Sequence, residues 1–307
     1  MTETTSRSVL LAGCGDVGAA LGLHLAGRGW AATGVRRHAD RLPADLPGIS
    51  LDLTDPGSAA LPEADAVVVT LTADGHDAAA YERTYLGGLR GLRHALGEQN
   101  PRVVLVSSTG VLGGGDGERV TESTPADPQR STAHVLLAAE ELAAELFPDL
   151  VVVRPAGIYG PGRTSLVERV RRGAPLNHRR VTNRIHRDDL VTVLATVLEA
   201  AEPPRLLHAV DHCAAQLGEV AAYLAHLVGV PVPPDSSGPG EGPLGKLVDG
   251  TLVHSLVPRT EWRYPTFREG YRALVAETVG DGNDARGAAA HDDEPGAADV
   301  PGAELRP

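Results

Sequence analysis

Cysteine, aromatic residues and long apolar runs are scarce in this sequence of 307 residues, and each shortage excludes a class of protein. The two cysteines, Cys14 and Cys213, have no CxxC or Cys/His spacing, so we expect neither a disulfide nor a metal site. No run of about 18 apolar residues is present, so no membrane-spanning helix is expected. No aromatic residues interleave with the arginine-rich segment 169–187, so stacking on the bases of RNA or single-stranded DNA is unsupported.

Positive charge is also in deficit. The 28 basic residues against 40 acidic ones leave a net charge of −12, which opposes binding to nucleic acid or to an anionic membrane. The only lysine is Lys246, and all other basic residues are arginines. Residues 1–8 are polar and lack the basic and apolar regions of a secretory signal, so we expect a cytoplasmic location.

Short aliphatic runs alternate with longer amphipathic runs in the first half of the chain, which predicts βαβ units and a parallel sheet covered by helices. The expected strands are 9–12, 31–35, 66–71, 103–107 and 150–153, and the expected helices are 17–27, 78–96 and 132–146. Beyond residue 155, helix-rich stretches are joined by loops rich in proline and glycine, at 165–172, 189–200, 217–228 and 267–279. We therefore expect one domain at 1–160, a smaller lobe at 161–280 that interleaves with it, and a disordered acidic tail at 281–307.

A GxGxxG motif directly follows the first expected strand and opens a helix. Gly13 permits a tight turn, Gly15 lets a pyrophosphate approach the backbone, and Gly18 allows the helix to pack closely on the strand. Asp16 and Val17 complete the start of the helix and belong to the expected binding site. This context indicates a dinucleotide-binding domain, so the fold class is α/β, with a Rossmann-type doubly wound parallel sheet and a smaller helix-rich C-terminal lobe.

The end of the second expected strand bears on which dinucleotide binds. An acidic residue there would accept hydrogen bonds from the adenosine ribose, whereas a basic residue would pair with a 2′-phosphate. Arg36 and Arg37 stand at this position and no acid precedes them, which favours NADP, with NAD as the alternative. The competing interpretation is a pair of exposed surface arginines. Asp52 and Leu53, after the next strand, are expected to flank the adenine.

Several motifs along the chain resemble those of the extended short-chain dehydrogenases/reductases, also called the NAD-dependent epimerase/dehydratase family. Besides the glycine motif they are 106–111 (VSSTGV), 154–163 (RPAGIYGPGR), 184–190 (RIHRDDL) and 264–270 (YPTFREG). Pro155 of the second of these, together with Leu71 and Thr72, completes the expected cofactor-binding set. The resemblance implies that the cofactor lies on the N-terminal sheet and that a small-molecule substrate lies between the lobes, and it leaves a homodimer open.

The family's usual catalytic group is a Ser or Thr, a Tyr and a Lys, with the Lys lowering the pKa of the Tyr. Ser108, with Thr109 beside it, matches the hydroxyl position. Counting back from Glu140, which resembles the acid of the family's helix, the Tyr and Lys positions hold Thr132 and Leu136. The pair is therefore absent, and we expect Lys246 to lie away from the site, in the C-terminal lobe.

Other candidates are weaker. We interpret His186 as structural, at a helix start, and Tyr159 as a packing residue that remains a weak candidate donor. The arginines of 169–187 form a basic cluster that would suit an anionic substrate or a solvated surface.

The function that these observations favour is an NAD(P)-dependent oxidoreductase acting on a small-molecule carbonyl, alcohol or imine, with Ser108 and Thr109 as partners of the substrate oxygen. The alternatives are a dinucleotide-binding sensor without redox turnover, and an epimerase or lyase that uses the same pocket. Gly157 stands where sugar-nucleotide epimerases tend to have Asn, which weighs against nucleotide-sugar epimerisation.

Overall fold

The computed structural model describes residues 6–280, and the predicted tail at 281–307 lies outside the described residues. The strands of this part are β1 (Ser8–Ala12), β2 (Ala31–Arg36), β3 (Gly48–Ser50), β4 (Ala66–Val69), β5 (Arg102–Val106), β6 (Glu118–Val120), β7 (Leu150–Pro155), β8 (Gly157–Tyr159), β9 (Val181–Thr182), β10 (Arg184–His186), β11 (Leu206–Ala209), β12 (Ala215–Gln216) and β13 (Lys246–Val248). The α-helices are α1 (Asp16–Ala26), α2 (Ala78–Tyr81), α3 (Gly88–Leu96), α4 (Ser131–Leu146), α5 (Ser165–Arg171), α6 (Arg187–Glu199), α7 (Leu217–Val228), α8 (Thr251–Leu256) and α9 (Phe267–Gly280).

Seven of these strands form one parallel sheet in the order β11-β7-β5-β4-β1-β2-β3. The central strands are runs of Val and Leu because a parallel sheet is covered on both faces. Strand order reverses between β1 and β4, and ligands of such sheets bind where this reversal opens a crevice at the carboxyl ends of the strands. The predicted α/β fold with a doubly wound Rossmann-type sheet is confirmed.

Alternate residues of each strand build two separate cores. Leu11 and Val68 face the layer formed by α1 and α6, whereas Leu10, Val67 and Val69 face α3 and α4. This period of two follows from the pleat of a strand. The two cores hold the helices on either side of the sheet.

Two predicted boundaries are wrong in detail. The expected helix 78–96 is interrupted by a π-helical turn, Glu82–Gly87, whose Tyr85 hydroxyl donates to the Leu71 carbonyl at 3.0 Å. The expected strand 66–71 ends at Val69, because beyond Thr70 the chain packs against the turn at Gly13 instead of continuing the ladder.

The C-terminal half divides between the sheet and a second lobe. Helix α6 packs on α1, and β11 pairs with β7, so residues 187–209 return to the large layer. Helices α5, α7 and α9 enclose a third core that includes Val170, Leu224 and Phe267. The short strand pairs β8/β10, β9/β12 and β6/β13 connect this lobe to the carboxyl edge of the sheet.

Candidate functional site

The turn after β1, here called the cradle, consists of Gly13, Cys14 and Gly15 and leads into the N-terminus of α1. Gly13 has φ of +74°, a conformation that side chains with a Cβ rarely adopt. A Cβ at Gly13 would also lie 2.9 Å from Leu71 Cα, so the turn fits closely against the end of β4. The N–H groups of Gly13 and Cys14 both donate to the Val35 carbonyl, at 2.9 and 3.1 Å, which fixes the turn to the end of β2.

The two other motif glycines have different roles. A Cβ at Gly18 would lie 2.8 Å from Thr70 Oγ1 and 3.3 Å from Cys14 Sγ, so Gly18 is required for close packing of α1 on the sheet. A Cβ at Gly15 would meet nothing nearer than the Gly13 carbonyl at 3.9 Å. The space beside Gly15 is therefore open at the N-terminus of α1, where unpaired N–H groups and the helix dipole favour an anion. These residues fit the pyrophosphate of a dinucleotide.

Asp16, in the first turn of α1, connects the cradle to the C-terminal half of the chain. Its carboxylate accepts hydrogen bonds from Arg163 Nε at 3.1 Å and from Arg187 Nη1 at 2.9 Å. Arg187 also binds Asp188 at 2.8 Å. An unpaired carboxylate here would repel a pyrophosphate, and the two guanidinium groups neutralise it. Val17, the next residue, is buried in the core beneath the cradle.

The two arginines at the end of β2 have different surroundings. Arg37 makes two hydrogen bonds of 2.7 Å to Asp74, and both side chains are more than half exposed. Arg36 has no ion pair with any residue between 6 and 280 and lies near Cys14, whose thiol pKa is raised to about 11 by burial, an effect that the Arg36 charge opposes. Arg36 is therefore the guanidinium that is available to a 2′-phosphate.

The other predicted cofactor residues lie at or near the carboxyl edge. Thr72 is exposed beyond β4, and Pro155 ends β7. Asp52 accepts hydrogen bonds from the N–H and hydroxyl of Thr54, at 2.9 and 2.7 Å. Leu53 is buried in the core shared with α3, and its carbonyl lies against Gly91 of that helix. Their roles in binding remain predictions.

Ser108 lies where the chain leaves β5. Its Oγ accepts a hydrogen bond from the Gly110 N–H at 2.9 Å and caps a single 3₁₀ turn, Thr109–Val111. Because that bond uses a lone pair, the hydroxyl proton of Ser108 is free to donate. Thr109 is buried, with 8% of its surface exposed. Ser108 is thus the better placed of the two to meet a substrate oxygen.

A buried ion pair lies next to the turn that follows Ser108. Glu140 and Arg154 are 7% and 5% exposed, and Arg154 donates from Nε and Nη2 to the Glu140 carboxylate at 3.0 and 2.6 Å. Ser107 Oγ donates to the same carboxylate at 2.5 Å. The pair ties α4, β5 and β7 together at the carboxyl edge of the sheet, directly before Ser108.

Thr132 and Leu136 lie on the helix that packs against the Ser108 turn, α4. Leu136 is partly buried against the core that contains Val111 and Val153. Leu136, at the position of the family's Lys, has no charge that could lower the pKa of a neighbouring hydroxyl. Thr132, at the position of the family's Tyr, has a hydroxyl that does not ionise near neutral pH. The structure thus places both residues on α4, and the absence of a catalytic Tyr-Lys pair stays a prediction.

Known proteins share this sequence pattern and fold. Residues 13–201 match a family model described as NAD(P)H-binding. The chain belongs to this NAD(P)H-binding family and is of the extended short-chain dehydrogenase/reductase type, as the motifs predicted.

The similarity to known proteins extends over 84% to 90% of the chain. Protein YeeZ of Escherichia coli strain K12 is 30% identical over 276 residues, which are 84% of this chain and 97% of YeeZ. A structure from Methylobacillus flagellatus titled as an NAD-dependent epimerase/dehydratase is 29% identical, covers 90% of this chain and 100% of its own, and has a TM-score of 0.74. The human epimerase family protein SDR39U1, solved with NADPH, has a TM-score of 0.70 at 19% identity, covers 88% of this chain and 99% of its own, and shows the fold alone.

In this member of the extended short-chain type, the expectation that Lys246 lies away from the site is wrong. Its Nζ donates to the Thr109 carbonyl at 2.8 Å and also to the Leu112 carbonyl. Strand β13 carries Lys246 there by pairing with β6, in the segment that follows the Ser108 turn. Sequence reasoning missed this residue because 137 positions separate it from Thr109. The one feature of the sequence that could have drawn attention to Lys246 is that it is the only lysine.

Tyr159 and His186 are structural residues in this protein. The Tyr159 hydroxyl is buried against Gly270, and its ring packs on Tyr271 with centroids 4.4 Å apart. His186 caps α6 by accepting the Asp188 N–H at its Nδ1, at 3.1 Å. Burial lowers the pKa of His186 to about 4, so it stays neutral near pH 7.

The predicted basic cluster does not form one surface. Arg184 is buried and lies over the Phe267 ring, Arg179 binds the carbonyls of Glu241 and Gly242, and Arg187 faces α1. Within residues 6–280, no helix is both long and apolar enough to cross a membrane.

Proposed function

We propose that this protein is an NADP-dependent oxidoreductase that acts on a small-molecule carbonyl, alcohol or imine. The observation that carries the cofactor choice is Arg36, which has no ion pair within residues 6–280 and follows Val35, whose carbonyl accepts the Gly13 and Cys14 N–H groups. The family match supports NAD(P) without choosing between its two forms.

When bound, the cofactor supplies or accepts a hydride at its nicotinamide. The residues of this chain bind and orient the reactants. The cradle at Gly13 and Gly15 takes the pyrophosphate, Arg36 takes the 2′-phosphate, and the Ser108 hydroxyl donates a hydrogen bond to the substrate oxygen. Such a positioned donor stabilises the charge that develops on that oxygen, and the proton that completes the alcohol comes from solvent water, so catalysis does not require a tyrosine on α4.

A turnover assay tests this proposal. Purified protein is incubated with NADPH or NADP and a panel of ketones, aldehydes, imines and alcohols, and the absorbance of reduced nicotinamide is followed. A substrate-dependent change is expected. With the substrate so found, Ser108→Ala should lower the rate roughly ten-fold or more, whereas the matched variant Thr132→Val should change it little. The reverse ranking would place the proton donor on α4 and overturn the role of Ser108.

The missing Tyr-Lys pair favours a second function, which is dinucleotide binding without net redox turnover. The protein would then be a sensor, or an epimerase or lyase. The similar protein from Methylobacillus flagellatus is described as an NAD-dependent epimerase/dehydratase, which supports this alternative. Tight NADP binding with no absorbance change for any substrate of the panel would favour it over the first proposal.

A further inference from the structure

The position of the Ser108 hydroxyl depends on the short turn that follows it. Ser108 Oγ accepts the Gly110 N–H at 2.9 Å, so any movement of the turn moves the hydroxyl with it. A single 3₁₀ turn is a weak element by itself, and here the Val111 N–H donates to the Ser108 carbonyl at a long 3.3 Å. Contacts from other segments must therefore hold the turn. One of them is the Asp127 N–H, which donates to the Val111 carbonyl at 2.9 Å.

Lys246 supplies a second contact of this kind. Its Nζ donates to the Thr109 carbonyl at 2.8 Å and to the Leu112 carbonyl, so one ammonium group joins the two ends of the turn. Thr109 and Leu112 are 8% and 2% exposed. Without Lys246 the Leu112 carbonyl would have no donor among residues 6–280, and a buried carbonyl without a donor destabilises the conformation that buries it.

The Lys246 ammonium is committed to this contact. Within residues 6–280 it forms no ion pair, so the two carbonyls are its polar partners. Burial lowers the pKa of Lys246 to about 8, so most of the side chain is still protonated at pH 7. A charged donor makes stronger hydrogen bonds to carbonyl oxygens than a neutral one. The contact is therefore a firm link between β13 and the turn.

The backbone of Lys246 is itself held on two sides. On one side β13 pairs with β6, where Lys246 lies opposite Glu118. On the other side Asn183 takes the place of a neighbouring strand, because its Nδ2 donates to the Lys246 carbonyl at 3.0 Å and its Oδ1 accepts the Val248 N–H at 2.9 Å. A Cβ at Gly114 would lie 3.1 Å from Lys246 Cβ, so the loop before β6 packs against the stem of the side chain. The side chain thus starts from a fixed point.

We propose that Lys246 is a positioning residue for the reaction, which holds the turn after Ser108 so that the Ser108 hydroxyl points to the reacting oxygen of the substrate. The inference rests on the proposed function, because Ser108 is taken as the donor to that oxygen. A donor that is already fixed stabilises developing charge better than a mobile one, and a displacement of about 1 Å can cost a large part of a rate. Lys246 acts through Ser108 and does not have to touch the substrate.

A double-variant comparison tests whether Lys246 acts through Ser108. With the substrate found in the turnover assay, Lys246→Met should lower kcat at least about five-fold and leave KM within about two-fold, but it should cost no more than Ser108→Ala. In a protein that already carries Ser108→Ala, adding Lys246→Met should change kcat less than about two-fold, because the hydroxyl that it positions is gone. Losses that multiply in the double variant would overturn the proposal.

A conservative variant tests whether the N–H donors are what matters. Lys246→Arg keeps a cation with several donors, whereas Lys246→Met keeps only the length of the side chain. Lys246→Arg should therefore retain more of the wild-type kcat than Lys246→Met, and the reverse ranking would contradict a role for the donors. If Lys246→Met does not fold, as judged by circular dichroism, Lys246→Ala replaces it in both comparisons.

Hydrogen exchange shows whether Lys246 holds the turn, and it needs no substrate. In Lys246→Met the amides of Val111 and Leu112 should exchange at least about five-fold faster than in the wild type, as followed by mass spectrometry. The matched control is Arg119→Met, on the partner strand β6, because the Arg119 guanidinium binds Asp249 and not the turn. It should leave the exchange of the turn and kcat unchanged. Unchanged exchange in Lys246→Met, or equal acceleration in both variants, would overturn the proposal.

The two measurements separate failure of this inference from failure of the proposed function. If no substrate of the panel is turned over, the proposed oxidoreductase is wrong, while the exchange rates still decide whether Lys246 holds the turn. If a substrate is turned over and the double variant shows independent losses, the oxidoreductase stands and the role of Lys246 is removed.

Discussion

Replacing Arg36 by alanine should convert a protein that prefers NADP into one that binds NADP and NAD alike. In the structure Arg36 lies one residue beyond Val35, whose carbonyl accepts two N–H groups of the cradle, and its guanidinium has no partner within residues 6–280. NADP differs from NAD only by the 2′-phosphate. A loss confined to NADP therefore reports on that contact and not on the fold of the site.

The expected magnitude follows from the type of interaction. A hydrogen bond between charged partners contributes about 1.5–3 kcal/mol, so Arg36→Ala should raise the Kd for NADP roughly 10- to 150-fold. The Kd for NAD should stay the same, because NAD has a ribose hydroxyl in place of the 2′-phosphate and its binding does not require a cation there.

Arg37 offers a matched comparison on the adjacent position. Its guanidinium is already bound to Asp74 through two hydrogen bonds of 2.7 Å, and the pair is more than half exposed on both sides. An exposed pair of this kind stabilises by about 0.2–1 kcal/mol, so Asp74→Asn should release Arg37 and tighten NADP binding by up to about five-fold. Arg37→Ala should cost less than Arg36→Ala.

Calorimetric titration of the wild type and the three variants with both dinucleotides measures all four effects. The reasoning is refuted if NAD binds the wild type as tightly as NADP, or if Arg36→Ala leaves the NADP affinity unchanged. Repeating the titrations at higher salt provides a further check, since the Arg36 contribution should shrink as the phosphate charge is screened.

Three further predictions concern the supports of the site. Glu140→Ala should lower the free energy of unfolding by about 3–5 kcal/mol in a urea titration, because it leaves the buried Arg154 charge unpaired. Arg187→Gln should weaken NADP and NAD binding alike, by roughly five-fold in calorimetry, because the Asp16 carboxylate beside the pyrophosphate loses one of its guanidinium partners. His208→Leu should be more stable than the wild type by about 1–3 kcal/mol at pH 7, because the wild-type ring is fully buried and neither ring nitrogen has a hydrogen-bond partner among the described residues, with the Glu122 carboxylate 4.0 Å from Nδ1. Since the pKa of His208 is lowered to about 4, the wild type should lose up to about 3 kcal/mol as the pH falls from 6.5 to 4, and the variant should lose less.

Each of these predictions has a control. Glu141→Ala, at the exposed neighbour of Glu140, should change stability by less than about 0.5 kcal/mol, and an equal loss in both variants would contradict a special role for the buried pair. Asp16→Asn combined with Arg187→Gln should restore dinucleotide affinity, and additive losses would show that Arg187 acts independently of Asp16. A parallel acid loss in wild type and His208→Leu would assign the pH dependence to other groups.

Local sequence patterns were sufficient to predict the parallel sheet and the tight glycine turn that follows β1. The alternation of Val-rich strands with amphipathic helices reflects the strand and helix periods, which are local properties of the backbone. The glycines of the cradle were recognisable because a turn with φ of +74° at Gly13 and close packing at Gly18 leave no room for a Cβ. The register from Glu140 to Thr132 and Leu136 is likewise a count along one helix.

Contacts between distant segments were decided only by the tertiary structure. Lys246 meets Thr109 across 137 positions, and Arg187 meets Asp16 across 171. Both depend on the path of loops and of short strands such as β13, whose three residues show no period that a sequence reading could detect. A periodic pattern states which face of an element is buried, but it does not state which long polar side chain from another lobe will reach that element. The contact of Lys246 with the turn after Ser108 could therefore be identified only from the folded structure.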